Sequence, residues 1–200
     1  MEELLYTYDG KLYINLTNKC PCRCTFCIRS QMDGLGSAQS LWLEHEPSAD
    51  EVIAAFAHYH PADFDEIIFC GYGEPFCALD RLLAVSRYLR GVSRAKIRIN
   101  TNGLGDLICK KPTAPLLEGL IDTVSISLNT SDPQYYLRLC RPSFGETAYG
   151  AMLQFARDCK QYVPEVKFSV VDVIPAADIA GCEKIAREIG IPLRVRHFTE

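Results

Sequence analysis

Apolar and polar positions alternate along this chain in two different periods, and the two periods themselves alternate. Apolar residues favour every second position over 4–8 and 12–16, with Asp9-Gly10 between them, so the chain is predicted to open with a hairpin. Apolar runs over 66–70, 96–100, 123–128, 166–173 and 191–198 predict further strands. Stretches at helical spacing separate them. Ser48 and Glu51 form a capping-box pattern ahead of Val52, Ile53 and Phe56. Leu79, Leu82, Leu83 and Val85 give an apolar face to a helix over 76–90, and a weaker helix is expected over 114–120. Ala148, Met152, Phe155, Ala156 and Cys159 mark a helix over 146–161, and another over 177–189 is stopped by Gly190. Residues 28–47 carry neither period.

Six main strands alternating with five helical stretches imply a parallel sheet with right-handed crossovers. Eight such units would close a barrel of about 250 residues. A chain of 200 residues with six strands therefore predicts an α/β fold, an open partial (βα)6 TIM-like barrel, as one domain over 1–200. In such folds the chemistry lies at the carboxyl ends of the strands, so each candidate motif is judged by whether it falls there.

Composition adds little except in charge and cysteine. The net charge of −4 excludes a polyanion binder held by bulk charge, so no general nucleic-acid binding is expected, while a local basic pocket stays open. No apolar run reaches the length of a membrane span, and residues 1–10 lack a signal-peptide pattern, which predicts a cytoplasmic protein. Ten cysteines are many, and four crowd into Cys20-Pro-Cys22-Arg-Cys24-Thr-Phe-Cys27. That crowding suits a metal better than disulfides. Cys20, Cys24 and Cys27 follow the spacing Cys-x3-Cys-x2-Cys, and no second pair follows at zinc-ribbon spacing. Three thiolates on a four-iron cluster would leave one iron open to a ligand. Cys22 sits two residues from both Cys20 and Cys24, an awkward place for a fourth ligand. Cys70, Cys77, Cys109, Cys140, Cys159 and Cys182 are scattered and read as small buried hydrophobes.

The other strand ends are also polar. The strand over 66–70 runs into Gly71-Tyr72-Gly73-Glu74-Pro75, where glycines let a ligand approach the backbone and a carboxylate could hold an ammonium group. The dinucleotide fingerprint fails there, because Phe76 stands in place of its third glycine. Asn100-Thr101-Asn102-Gly103 ends the next strand. Alternation then places Ser125, Ser127 and Asn129 on one face of the strand after it. The last strand carries Arg194, Arg196 and His197, of which His197 is a candidate ligand contact.

The cysteine spacing with Phe26 before its last cysteine resembles the signature of the radical S-adenosylmethionine (SAM) superfamily, and Gly71-Tyr-Gly-Glu74-Pro75 resembles that family's glycine–glutamate motif. Thr101-Asn-Gly and Ser127-Leu-Asn129 resemble its third and fourth strand endings. Within the superfamily, Leu41-Trp-Leu, Glu46-Pro47, Cys70-Gly-Tyr-Gly-Glu-Pro75 and Leu139-Cys-Arg-Pro142 make the chain most similar to the TatD-associated radical SAM proteins. The resemblance implies a [4Fe-4S] cluster on Cys20, Cys24 and Cys27, with SAM chelating the open iron. It implies that Gly71, Gly73 and Glu74 contact the amino end of SAM, Ser127, Asn129 and Thr101 its carboxylate or ribose, and Phe26 its adenine. One electron from the cluster would cleave SAM to methionine and a 5′-deoxyadenosyl radical, which abstracts hydrogen from a substrate, so a flavodoxin- or ferredoxin-like electron donor is expected. The protein supplies orientation and a dry pocket.

Three function classes follow. A radical SAM enzyme acting on a small molecule or nucleotide ranks first. An activase that installs a radical on a partner protein comes next, and a non-catalytic iron–sulfur or zinc-binding module last; the module would leave Glu74 and the polar strand ends unexplained. Residues 28–47, with Gly34, Gly36, Trp42, Glu44 and Glu46, read either as a lid and substrate wall or as a packed surface excursion. Arg141 could hold an anionic group or stand as a surface charge, and Lys110-Lys111 reads as solvated charge.

Overall fold

Seven strands form one sheet in chain order: β1 (Leu5–Tyr8), β2 (Lys11–Ile14), β3 (Glu66–Phe69), β4 (Lys96–Thr101), β5 (Thr123–Ser127), β6 (Glu165–Val171) and β7 (Leu193–Arg196). The structure is a computed structural model that describes residues 3–198; residues 1–2 and 199–200, the outermost of the expected domain, lie outside it. β1 and β2 are the antiparallel hairpin, with Leu5 opposite Ile14. Its turn residues Asp9 and Gly10 have φ of 50° and 69°, as a two-residue turn matched to strand twist requires. β2 through β7 are all parallel, and β7 does not pair with β1, so the expected open barrel of six parallel strands is what forms.

Helices α1 (Ala49–Ala55), α2 (Leu79–Val92), α5 (Thr147–Cys159) and α6 (Ala176–Ile189) meet the predicted helical stretches, and two short ones, α3 (Gly105–Cys109) and α4 (Pro133–Cys140), add to them. The capping box on α1 is complete: Glu51 N–H donates to Ser48 Oγ at 3.2 Å, and Ser48 N–H donates to the Glu51 carboxylate at 2.7 Å. Gly190 ends α6 in the left-handed region. The stretch at 114–120 is a 3-10 turn (Ala114–Leu117) rather than a helix, because the chain leaves helical geometry at Glu118 and Gly119 takes φ 70°. The helix expected over 76–90 begins as a 3-10 turn, Pro75–Ala78, before α2. The last strand is shorter than expected at both ends. Pro192 precedes it, and the Asp172 carboxylate draws His197 and the Phe198 N–H away from the sheet at 2.7 Å each.

Alternation along the strands divides the apolar side chains between two faces. Ile67, Phe69, Ile97, Ile99, Val124, Ile126, Phe168 and Val170 point to the face where Leu82, Leu89, Phe155 and Ala156 of the helices bury them. The opposite, helix-free face has an apolar cluster at the β1–β3 side, where Tyr6, Tyr13, Ile68 and Tyr72 pack with Ala38 and Leu41 of the 28–47 segment. Farther across, over β4–β7, it is mostly polar, with Val171 the apolar exception. The 28–47 segment is thus a fixed wall on that face. Asn15 Nδ2 donates to the Leu41 carbonyl at 2.8 Å, Asn18 Nδ2 to the Leu43 carbonyl at 2.7 Å, and the Tyr72 hydroxyl to the Met32 carbonyl. Glu46 closes the segment with Thr17 at 2.8 Å and Arg81 at 2.5 Å.

Candidate active site

The four clustered cysteines lie on the loop after β2, and the end of α4 holds that loop in place. A helix leaves its last carbonyls without intrahelical partners. Here Arg23 N–H donates to the Cys140 carbonyl at 3.0 Å and Thr25 N–H to the Leu139 carbonyl at 2.9 Å, while Ser143 N–H returns to the Pro21 carbonyl at 2.8 Å. This docking brings Cys140, 116 residues away in sequence, against Cys24, whose Sγ lies 3.7 Å from the Cys140 carbonyl.

The thiols differ in character. Cys22 is buried beside Cys20 and Cys24, and Asn102 Nδ2 reaches it at 3.7 Å. Its hydrogen bonds to Cys20 and Cys24, with burial, keep Cys22 protonated well above the usual thiol range. Those bonds have the opposite effect on their acceptors. Cys24, accepting from Cys140 and Cys22, is held down to about 4, and Cys20 is lowered mainly by Cys22. Cys140 is pushed up by its bond to Cys24 and by burial, and burial raises Cys27. Hydrogen bonding thus favours the thiolate form of Cys20 and Cys24, and burial favours the thiol form of Cys27. Reading Cys140 as a small buried hydrophobe gives its burial correctly and misses this contact.

The Gly71–Pro75 turn follows β3 beside the loop. Its glycines are needed for packing: a Cβ at Gly71 would strike the Asn15 side chain, and one at Gly73 the carbonyls of Thr17 and Lys19. Glu74 N–H donates to the Lys19 carbonyl at 2.8 Å, which ties the turn to the cysteine loop. The Glu74 carboxylate, 4% exposed, accepts from Thr101 Oγ1 at 2.6 Å, Asn102 N–H at 2.8 Å and Phe76 N–H at 3.3 Å. Glu74 thus binds the end of β3 to the end of β4, and burial pushes its carboxyl up to about 7 against the pull of these donors.

Ser127 ends β5, half-buried on the helix-free face, with Ser125 buried below it. Asn129 departs from that alternation, because the strand ends at Ser127 and Asn129 turns to φ 65°. Its Nδ2 donates to Cys140 Sγ at 3.2 Å, and its buried Oδ1 has no partner. Phe26 is half-buried at the edge of the main core beside Cys20 and Cys24. The structure therefore gathers Cys20, Cys24, Phe26, Gly71, Gly73, Glu74, Thr101 and Asn129 at neighbouring strand ends, with Cys27 three residues beyond Cys24. His197 is not among them: it is exposed, with its ring 2.7 Å from Asp172. Arg141 is exposed at the left-handed end of α4. Asn102, Asn15 and Cys140 join the site without having been singled out. Asn102 lay inside the polar run Asn100–Gly103 at the end of β4, and nothing local in the sequence points to the other two.

The donor set fits an iron–sulfur cluster: Cys20, Cys24 and Cys27 lie on one loop, and a four-iron cluster takes each cysteine at a separate iron. The thiolate-favouring Cys20 and Cys24, and the unpaired Asn129 Oδ1 nearby, suit a cluster with a polar ligand beside it.

A sequence profile of the Radical SAM superfamily matches residues 14–189, and the chain belongs to that superfamily. It is an enzyme of the radical SAM class, whose cofactors are a [4Fe-4S] cluster and SAM. Among curated proteins it is 33% identical over 137 residues to a GTP 3′,8-cyclase of Corynebacterium glutamicum (strain R), an alignment covering 65% of this chain and 33% of that protein. It is 29% identical over 150 residues to a probable dual-specificity RNA methyltransferase RlmN of Rhodococcus opacus (strain B4), covering 63% of this chain and 39% of that protein. The chain therefore spans about a third of the length of these relatives. Streptococcus suis SuiB, solved bound to SAM, has the same fold with TM-score 0.66 at 19% identity, over 96% of this chain and 40% of that one. No helix among the described residues is long and apolar enough to cross a membrane.

Proposed function

We propose that Cys20, Cys24 and Cys27 hold the cluster, and that the neighbouring strand ends hold SAM for reductive cleavage and hydrogen abstraction from a small-molecule or nucleotide substrate. When bound, the cofactor pair supplies a one-electron cleavage of SAM and a hydrogen-abstracting radical. The observation that carries the ligand assignment is the Cys20-x3-Cys24-x2-Cys27 spacing on one loop tied to the Gly71–Pro75 turn and to the end of α4, with Cys22 buried between Cys20 and Cys24. Cys22 then tunes the ligand sulfurs by hydrogen bonding and does not ligate.

The other residues divide the binding work. Gly71 and Gly73 let the turn after β3 close on the cysteine loop. Glu74 fixes the ends of β3 and β4 and has one acceptor position left, of about four on a carboxylate, for the amino group of SAM. Thr101 holds Glu74, Ser127 and the unpaired Asn129 Oδ1 serve the polar end or ribose, and Phe26 offers a ring to the adenine. The 28–47 wall excludes water from one side. The names of the curated relatives, a GTP cyclase and an RNA methyltransferase, support a nucleotide-like substrate. The TatD-associated subgroup rests on the sequence pieces at 41–43, 46–47 and 139–142. A small electron-transfer protein of the flavodoxin or ferredoxin type would supply the electron.

The test is spectroscopic. The reduced, cluster-loaded chain is followed by electron paramagnetic resonance with and without SAM. A SAM-dependent change of the spectrum in the wild type and in Cys22→Ala, with no cluster in Cys24→Ala, is the expected result. A cluster retained in Cys24→Ala would overturn the ligand assignment.

A further inference from the structure

The helix-free face of the sheet carries an excess of positive charge that neither the cluster site nor the fold uses. Ile97 and Ile99 of β4 point into the helical core, so Arg98 between them points the other way, in register with Ile68 of the helix-free face. Phe168 and Val170 of β6 also point into the core, which turns Lys167 and Ser169 to the same side as Arg98. Arg194 is paired with Ser169 and Arg196 with Val171, so both face that side as well.

Two carboxylates answer these four cations. Glu66 lies 3.4 Å from Arg98 but is shared with Lys11 at 3.3 Å. Glu165 lies 2.8 Å from Lys167. Among the described residues, Arg194 and Arg196 make no ion pair. Arg98 is 5% exposed, and its buried Nε has no hydrogen-bond partner. A buried guanidinium N–H without an acceptor is costly, and in native proteins such a group calls for an explanation. Arg196 is exposed to solvent yet crowded by protein atoms. That crowding holds its guanidinium below its usual range; the Cys70 thiol opposes this, and repulsion from Arg194 and Arg98 adds to it. Arg98, Arg194 and Arg196 thus face the same side of the sheet, with β5 and β6 between them, and Arg194 and Arg196 are left without a carboxylate.

Guanidinium forks suit the oxygens of carboxylates and phosphates, and a pair of uncompensated charges matches a dianion. We infer that the helix-free face of β4 and β7 is a phosphate subsite, in which Arg98, Arg194 and Arg196 take the phosphate group of a phosphorylated small-molecule substrate. Its role as a substrate subsite rests on the SAM-cleavage reading above, whereas phosphate binding itself does not.

The experiment is a titration of the cluster-loaded chain with inorganic phosphate, followed by phosphorus NMR. The variants are the double substitution R194Q/R196Q, at exposed positions, and R194K/R196K, which keeps charge and removes the forks. Saturable binding is expected in the wild type. R194Q/R196Q should bind at least about 100-fold more weakly, about tenfold for each lost charge-assisted contact, with an unchanged thermal unfolding midpoint and partial recovery in the lysine variant. Absence of saturable binding, equal binding in R194Q/R196Q, or displacement by equimolar acetate would overturn the proposal. So would displacement of phosphate by SAM, because the arginines would then hold the SAM carboxylate. Failure of the SAM-cleavage reading shows instead as a cluster spectrum indifferent to SAM, and leaves the phosphate titration unaltered.

Discussion

Glu74→Gln removes one ionisable group from the junction of β3 and β4 while nearly keeping its shape, and so isolates the contest between burial and hydrogen bonding at that carboxylate. Burial raises the carboxyl from 4.5 to about 7, and the bonds from Thr101, Asn102 and Phe76 only partly resist. Between those values the native chain keeps a proton that the unfolded chain has released. The stability contributed by that proton is therefore complete below about 4.5 and is lost as pH rises through about 7. At about 1.4 kcal/mol per pH unit the loss is about 3 kcal/mol. The assay is urea unfolding of wild type and Glu74→Gln at intervals from pH 4 to pH 8. The wild-type curve should fall by about 3 kcal/mol relative to the variant over that range, whatever the offset between the two. Parallel curves would refute the reasoning, since they would mean that three donors hold the buried carboxylate ionised at no cost.

Other outcomes follow from the same geometry. Cys24→Ala should lose the cluster iron altogether, whereas Cys22→Ala should keep it and shift the reduction potential, both read by iron analysis and voltammetry. Arg81→Ala leaves Glu46 to Thr17 and Lys19 and strips the Pro47 carbonyl of the donor that reaches it at 2.8 Å; it should cost about 2 kcal/mol and speed proteinase cleavage within 28–47. Phe155→Ala empties a fully buried position whose ring meets Phe76 edge-on at 5.4 Å, and should cost about 4 kcal/mol in urea unfolding.

What could be read in advance was local. Strand period, the Asp9-Gly10 turn and the Ser48–Glu51 box are each written within a few residues, and each forms as expected. α4 also has a local signal, because the Asp132 side chain caps it at 2.6 Å with Pro133 in its first turn. It went unread because eight residues with two tyrosines make a weak helical pattern. Its effect was hidden for another reason: the docking of its carbonyls on the cysteine loop, which brings Cys140 to Cys24, exists only once the sheet is assembled. The same holds for Gly71, whose tight contact is with Asn15 across neighbouring strand ends, and for the 28–47 segment, whose fixed position depends on Asn15, Asn18 and Arg81. Arg98 is an intermediate case. The alternation Lys96-Ile-Arg98-Ile-Asn100 already marks a polar face, but that Arg194 and Arg196 of β7 turn to the same side comes only from the pairing of β7 with β6.

The central claim, that Cys20, Cys24 and Cys27 support radical cleavage of SAM, is tested most directly by product. The chain is reconstituted anaerobically with iron and sulfide, given a strong reductant and SAM, and assayed for 5′-deoxyadenosine beside Cys24→Ala. The account predicts 5′-deoxyadenosine from the wild type and none from the variant. Equal amounts from both, or none from a wild type carrying its full four-iron cluster, would contradict it.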